Sequence, residues 1–129
     1  MNESKKEKKY SSEILLTEIQ KRCAGLIYIS ETDSPVIVFK AFHLVEKLET
    51  NFLTSIDRNP FTPTETKTLA DFFARLVQRD SRWKDLMLFL ETNLSECVVF
   101  KVGRIQIDYY AVGLLENLPV GIYMYAIET

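Results

Sequence analysis

Residues 97–129 read CVVFKVGRIQIDYYAVGLLENLPVGIYMYAIET, and the alternation within this stretch decides the fold. Ile105, Ile107, Tyr109 and Ala111 alternate with Arg104, Gln106, Asp108 and Tyr110, a period of two that predicts a half-buried strand. Val98, Phe100 and Val102 alternate in the same way before it, and Ile122, Met124 and Ala126 after it. Gly103 falls where a tight reversal is needed, because glycine accepts positive φ without steric cost. Leu114 to Pro119 supplies a longer connection, with Asn117 and Pro119 as its turn-prone residues. The expected product is a three-stranded antiparallel meander whose last strand runs to Thr129. The carboxylate and hydroxyl of that residue then lie at the rim of the sheet.

Upstream of this unit the periodicity changes. Ser11 or Ser12 caps a helix running to about Cys23, with Leu15, Ile19 and Cys23 on one face and Gly25 just past its end. Leu26–Ile29 reads as a short buried strand, Ser30–Pro35 as a turn, and Val36–Phe42 as the second strand of the pair. Leu44, Val45, Leu48 and Phe52 give a helical face over 43–53. Asn59, Pro60, Pro63 and their neighbouring threonines mark a loop. Leu69, Phe72, Phe73, Leu76 and Val77 then form an amphipathic helix, and Trp83, Leu86, Met87, Leu90 and Leu94 a second one ending near Asn93. Leading helices and closing strands, without a repeating βαβ order, predict α+β: helices packed on a largely antiparallel sheet.

A chain of 129 residues is one domain with room for a real core. Its net charge of -2 is unevenly placed. Lys5, Lys6, Lys8 and Lys9 against Glu3 and Glu7 leave residues 1–9 at +2, so residues 10–129 carry -4. Residues 1–10 read as a disordered basic tail and 11–129 as the single folded domain. A mildly acidic body argues against direct nucleic-acid binding and permits a basic partner. No segment reaches the ~20 apolar residues of a membrane span. The run after the lysines is broken by Glu13, Glu18 and Lys21, so no signal peptide is expected. Cys23 and Cys97, without a secretion signal, are expected to be reduced and packed, which points to a cytoplasmic protein.

Catalytic signatures are missing from the sequence. The one histidine, His43, has no partner at i+4, the cysteines lack zinc spacing, and no phosphate-cradling glycine loop occurs. Spacing leaves open a Cys–His pair of Cys23 or Cys97 with His43, although buried cysteines usually act as small hydrophobes. Two oxygen-rich features remain: the loop Ser30-Glu31-Thr32-Asp33 and the end Glu128-Thr129. Such groups can ligate a hard cation or imitate a phosphate, but by themselves they are more often a polar turn and a polar chain end.

Several segments together point further. Residues 25–35, GLIYISETDSP, resemble the Gly-Leu-Leu-aromatic-x-Ser-Glu-Ser-x-x-Pro segment of the nuclease A inhibitor family. Val99–Gly103, Ile107–Tyr110 and Val112-Gly113 resemble that family's Val-Tyr-Arg-x-Gly and Asp-x-Tyr-x-x-Gly run, and Ile127-Glu128-Thr129 its Val-Glu-Thr end. Asp71-Phe72-Phe73 and the nearby Trp83 match in order, while residues 43–68 diverge. The resemblance implies an α/β/α sandwich, not an enzyme, that blocks a sugar-nonspecific, Mg²⁺-dependent DNA/RNA endonuclease. It assigns Glu31, flanked by Ser30 and Thr32, to the place of the scissile phosphate, and Thr129 to the partner's catalytic metal. No cofactor is implied for the inhibitor itself, because the metal belongs to the nuclease, and the free protein is expected to be a monomer. A second family contact uses an Asp-Trp pair; here Arg82-Trp83 stands in its place with reversed charge, and Asp80 lies two residues earlier. The alternative is a protein-binding module of the same fold turned to another partner.

Overall fold

The structure, a computed structural model, describes residues 11–128. The expected disordered tail over 1–10 and the position of Thr129 lie outside the described residues. Helix α1 (Ser12–Cys23) begins where expected: the Ser11 hydroxyl accepts from the Ile14 amide at 3.3 Å, and Leu15, Ile19 and Cys23 turn inward. A two-stranded ribbon follows, β1 (Ile27–Ile29) against β2 (Asp33–Pro35). Five strands then build one sheet: β3 (Ile37–Lys40), β4 (Thr64–Lys67), β5 (Ser95–Val102), β6 (Gln106–Leu115) and β7 (Leu118–Ile127). Their order is β3-β7-β6-β5-β4, and every neighbouring pair is antiparallel. The meander read from residues 97–129 is the centre of this sheet.

Helices cover both faces, which makes the fold an α/β/α sandwich. On one face α1, α3 (Leu69–Phe73), α4 (Leu76–Arg79) and α5 (Arg82–Asn93) bury Leu15, Ile19, Phe73, Trp83, Leu86 and Leu90 against Val99, Ala111, Ile122 and Met124. On the other face α2 (Leu48–Ser55) places Leu48 and Phe52 over Phe100, Tyr110 and Val112. Phe52 stacks on Phe100 with centroids 4.3 Å apart and meets Tyr110 edge-on at 5.0 Å. Each such buried side chain contributes about 1.5–3 kcal/mol, so α2, though short, is held by contacts rather than by helix propensity.

Two-sided burial corrects the expectation of a half-buried strand. Residues 107–114 of β6 are all buried, because the alternate residues meet a second helical layer instead of water. Asp108 lies among them and is satisfied: its carboxylate accepts from Arg58 at 2.8 Å and from the Tyr123 hydroxyl at 2.6 Å. Ile105, expected in the strand, precedes it and is exposed.

Several local expectations change for related reasons. Val36–Phe42 meets Leu26–Ile29 only where the Val36 amide donates to the Leu26 carbonyl at 3.2 Å; β3 pairs with β7, and β1 pairs with β2, formed from residues read as a turn. Ile27 and Ile29 are exposed, so β1 is not the buried strand expected; only Tyr28 of its three residues faces inward. The helix expected over 43–53 starts at Leu48, because Val45 is held by the Asn117 carbonyl and the Phe42 and His43 amides by that of Ser55. The connection expected over Leu114–Pro119 is a two-residue hairpin, with Glu116 and Asn117 both at positive φ. β4 arises within the expected loop, and the helix over 69–77 breaks at Ala74-Arg75 into α3 and α4. Gly113 is required by close approach: a Cβ there would lie 2.6 Å from that of Leu94.

Candidate functional site

The β1–β2 ribbon carries the loop Ser30-Glu31-Thr32 at its tip. Hydroxyl chemistry closes that loop. The Ser30 side chain donates to the Thr32 carbonyl at 2.6 Å and accepts from the Thr32 amide at 3.2 Å, while the Ser30 amide donates to the same carbonyl at 3.3 Å. Ser30 and Thr32 thereby strap the turn, and Glu31 stands exposed at its apex. Contacts from both of its strands fix the ribbon to the body. The buried Ser34 hydroxyl accepts from the Tyr125 amide of β7 at 3.0 Å, and Tyr28 stacks on Phe72 with centroids 5.8 Å apart.

The other oxygen-rich feature is held as firmly up to its penultimate residue. The Glu128 amide donates to the Ile105 carbonyl at 2.8 Å. Its carboxylate accepts from the Tyr109 hydroxyl at 2.8 Å and pairs with Lys101 at 3.2 Å. Burial pushes the Glu128 carboxyl up, but the hydrogen bonds from Tyr109 and Lys101 outweigh it and hold the group below the usual carboxylate range. Tyr109 also packs against Tyr28, with centroids 5.4 Å apart. A continuous chain of contacts, Tyr28 to Tyr109 to Glu128, therefore joins the base of the Glu31 loop to the residue bonded to Thr129. The structure brings the base of the Glu31 loop and Glu128 to one end of the molecule.

Arg82 and Trp83 are elsewhere. Trp83 is 2% exposed and meets Phe73 edge-on at 5.7 Å, so its ring belongs to the core and has no surface to offer a partner. This corrects its assignment as a contact residue, because the period of α5 turns position 83 inward with Leu86 and Leu90. Arg82 is exposed, and its guanidinium is held by Asp80 at 2.9 Å and by the Ala24 carbonyl at 3.3 Å. Their hydrogen bond holds the Asp80 carboxyl below its ordinary value. The Asp80–Arg82 pair sits beside the chain entering β1, at the end of the ribbon away from Glu31.

The Cys–His pairing left open by spacing is not built. The His43 ring bonds Asp57 at 2.8 Å, Cys23 is buried in the α1 core, and the Cys97 thiol faces the Leu90 and Leu94 carbonyls. Burial pushes the Cys97 thiol up to about 11, which keeps it protonated and a poor nucleophile. Among the described residues no three His, Cys, Asp or Glu side chains are grouped to hold a metal, and no helix is long and apolar enough to cross a membrane.

Sequence reasoning missed Tyr28, Tyr109 and Lys101, the groups that steady the end of the molecule. Lys101 lies opposite Tyr109 in the β5–β6 register, a relation that no local spacing reveals. A search of curated proteins finds no match to the chain. The sequence model of a family described as nuclease A inhibitor-like protein matches residues 13–129. That match spans nearly the whole described fold, including the ribbon, the sheet and the Glu128 clamp, and the chain belongs to the nuclease A inhibitor-like family.

Proposed function

We propose that the protein inhibits a sugar-nonspecific, Mg²⁺-dependent DNA/RNA endonuclease by filling its active site. Glu31 enters where the scissile phosphate would bind, and Thr129 approaches the metal that the nuclease holds. The observation supporting this reading is the coupling of the Glu31 loop to Glu128 through Tyr28 and Tyr109 in a member of an inhibitor-like family. A nuclease site is arranged for phosphate, with a divalent cation and basic groups. A carboxylate and a hard oxygen use those groups without presenting a cleavable bond. The strapped Glu31 loop and the clamped Glu128 lower the ordering cost of association, and the acidic body steers it toward a basic partner. In this reading the free protein is a cytoplasmic monomer that catalyses nothing.

Plasmid degradation by such an endonuclease tests it, using the intact protein, Glu31→Ala and a chain lacking Thr129. Near-stoichiometric protection is expected from the intact protein. Each variant is expected to lose about 2–5 kcal/mol of binding free energy, the scale for removing one partner of a desolvated charge contact. Protection that ignored both changes would discard the mechanism and keep the inhibitor; no protection across a panel of endonucleases would sink the reading.

A second reading keeps the fold and gives it a different protein partner. The Asp80–Arg82 pair favours it, since its charges satisfy each other at a position where the family presents an acidic residue beside tryptophan.

A further inference from the structure

Between the ribbon, α3–α4 and the β4–β5 edge lies a cleft of about 230 Å³. Its charge is unbalanced: Lys67, Arg75, Arg79 and Lys101 line it against only Asp71 and Glu128. Glu128 is already engaged by Lys101 and Tyr109. Neither Arg75 nor Arg79 ion-pairs with any described residue, Asp71 included. The two arginines are four residues apart, and Arg75 has helical φ and ψ leading into α4, so both guanidinium groups project from the same side of one helical turn. Each offers a planar fork of donors suited to an oxyanion. The protein as a whole is acidic, so a local excess of two positive charges in a half-open cleft, with Lys67, Arg75 and Arg79 exposed at its rim, is not the average character of its surface.

We propose that this cleft binds a small phosphate-class oxyanion, with Arg75 and Arg79 as its principal donors and Lys67 closing the β4 side. The volume favours a single phosphate group over a drug-sized ligand, since pockets for the latter run from roughly 300 to 1,000 Å³. Tyr28 and Glu128, which line the same cleft, also belong to the coupling between the Glu31 loop and the terminal residues. An anion bound there would lie against Tyr28 and Glu128, at the base of the end read as inhibitory. Anion binding itself rests only on the cleft and is independent of the nuclease-inhibitor reading.

Titration with inorganic phosphate at constant ionic strength, followed by ¹H–¹⁵N NMR, tests the site. Saturable shifts are expected at the Arg75 and Arg79 side-chain Nε–H groups and at the Lys67 amide. Arg75→Gln combined with Arg79→Gln, shown to be folded by its own spectrum, is expected to weaken binding by about tenfold or more, the scale of lost charge-assisted hydrogen bonds. Lys40→Gln, on β3 at the opposite edge of the sheet, is expected to leave binding unchanged. Adenosine monophosphate and adenosine supply the second arm. Tighter binding of the monophosphate, with adenosine inert, identifies a nucleotide phosphomonoester; equal binding of monophosphate and phosphate identifies free phosphate. Linear, non-saturating shifts, or binding that the double substitution leaves intact, would overturn the proposal.

Discussion

The hydroxyl of Tyr109 donates to Glu128 at 2.8 Å while its ring packs against Tyr28 and Phe72, so deleting the oxygen alone separates the two roles. Burial pushes this phenol far above its ordinary range, which keeps it a donor at any physiological pH. Tyr109→Phe is expected to cost about 1 kcal/mol of stability, the net value of one hydrogen bond, and to weaken nuclease protection more than that loss explains. Equal protection at matched folded fraction would remove Glu128 from any positioning role. The pH dependence has a definite sign. A carboxyl held below its ordinary value of 4.5 contributes stability that is present above that value and lost as pH falls through its folded value. Urea unfolding should therefore show a constant difference between wild type and Glu128→Gln at neutral pH, shrinking as pH drops below 4.5. At this scale Ser30, Glu31 and Thr32 were legible, because turn chemistry is local. The Lys101–Glu128 pair was not, because it forms only once β5, β6 and the chain end are in register.

Elements were legible where one periodicity dominated. α1, α5 and the three long strands stand close to where capping and alternation put them. β4 escaped because Thr64-Glu65-Thr66-Lys67 carries no apolar residue; hydrogen bonding to β5 alone makes it a strand. The ribbon escaped because Asp33-Ser34-Pro35 reads as turn chemistry, yet the buried Ser34 hydroxyl ties it to Tyr125. In α5 the sequence located Trp83 on the correct face but allowed two meanings for it. Trp83→Phe decides between them. A loss of about 1–3 kcal/mol in urea unfolding is expected, as for a reshaped core residue, with protection per folded molecule unchanged. A large loss of protection at constant stability would return the residue to the interface.

Across the whole molecule, the α+β class followed from element order, while the double covering of the sheet rested on the family resemblance. Strand alternation marks two faces but does not say that both are dry; Asp108 and Tyr110 look like a solvent face until Arg58, Phe52 and Phe39 are placed over them. Because β6 serves both cores, the two should melt together. Phe52→Ala, in the α2 layer, is expected to cost about 3–5 kcal/mol. It should move the midpoint reported by Trp83 fluorescence, in the opposite layer, as far as the midpoint reported by circular dichroism. Separate midpoints would mean that the faces unfold independently.

The β4 rim has a further consequence, for life in a crowded solution. It is the outermost strand on its side of the sheet, four residues long, and all four side chains are exposed. Threonine, glutamate, threonine and lysine give an incoming strand no apolar surface to grip, and pairing would confine charge against its outer edge. The opposite rim, β3, is equally short. The sheet is thus guarded against growing by accretion of its own copies, and that guard comes from the least hydrophobic segment of the fold.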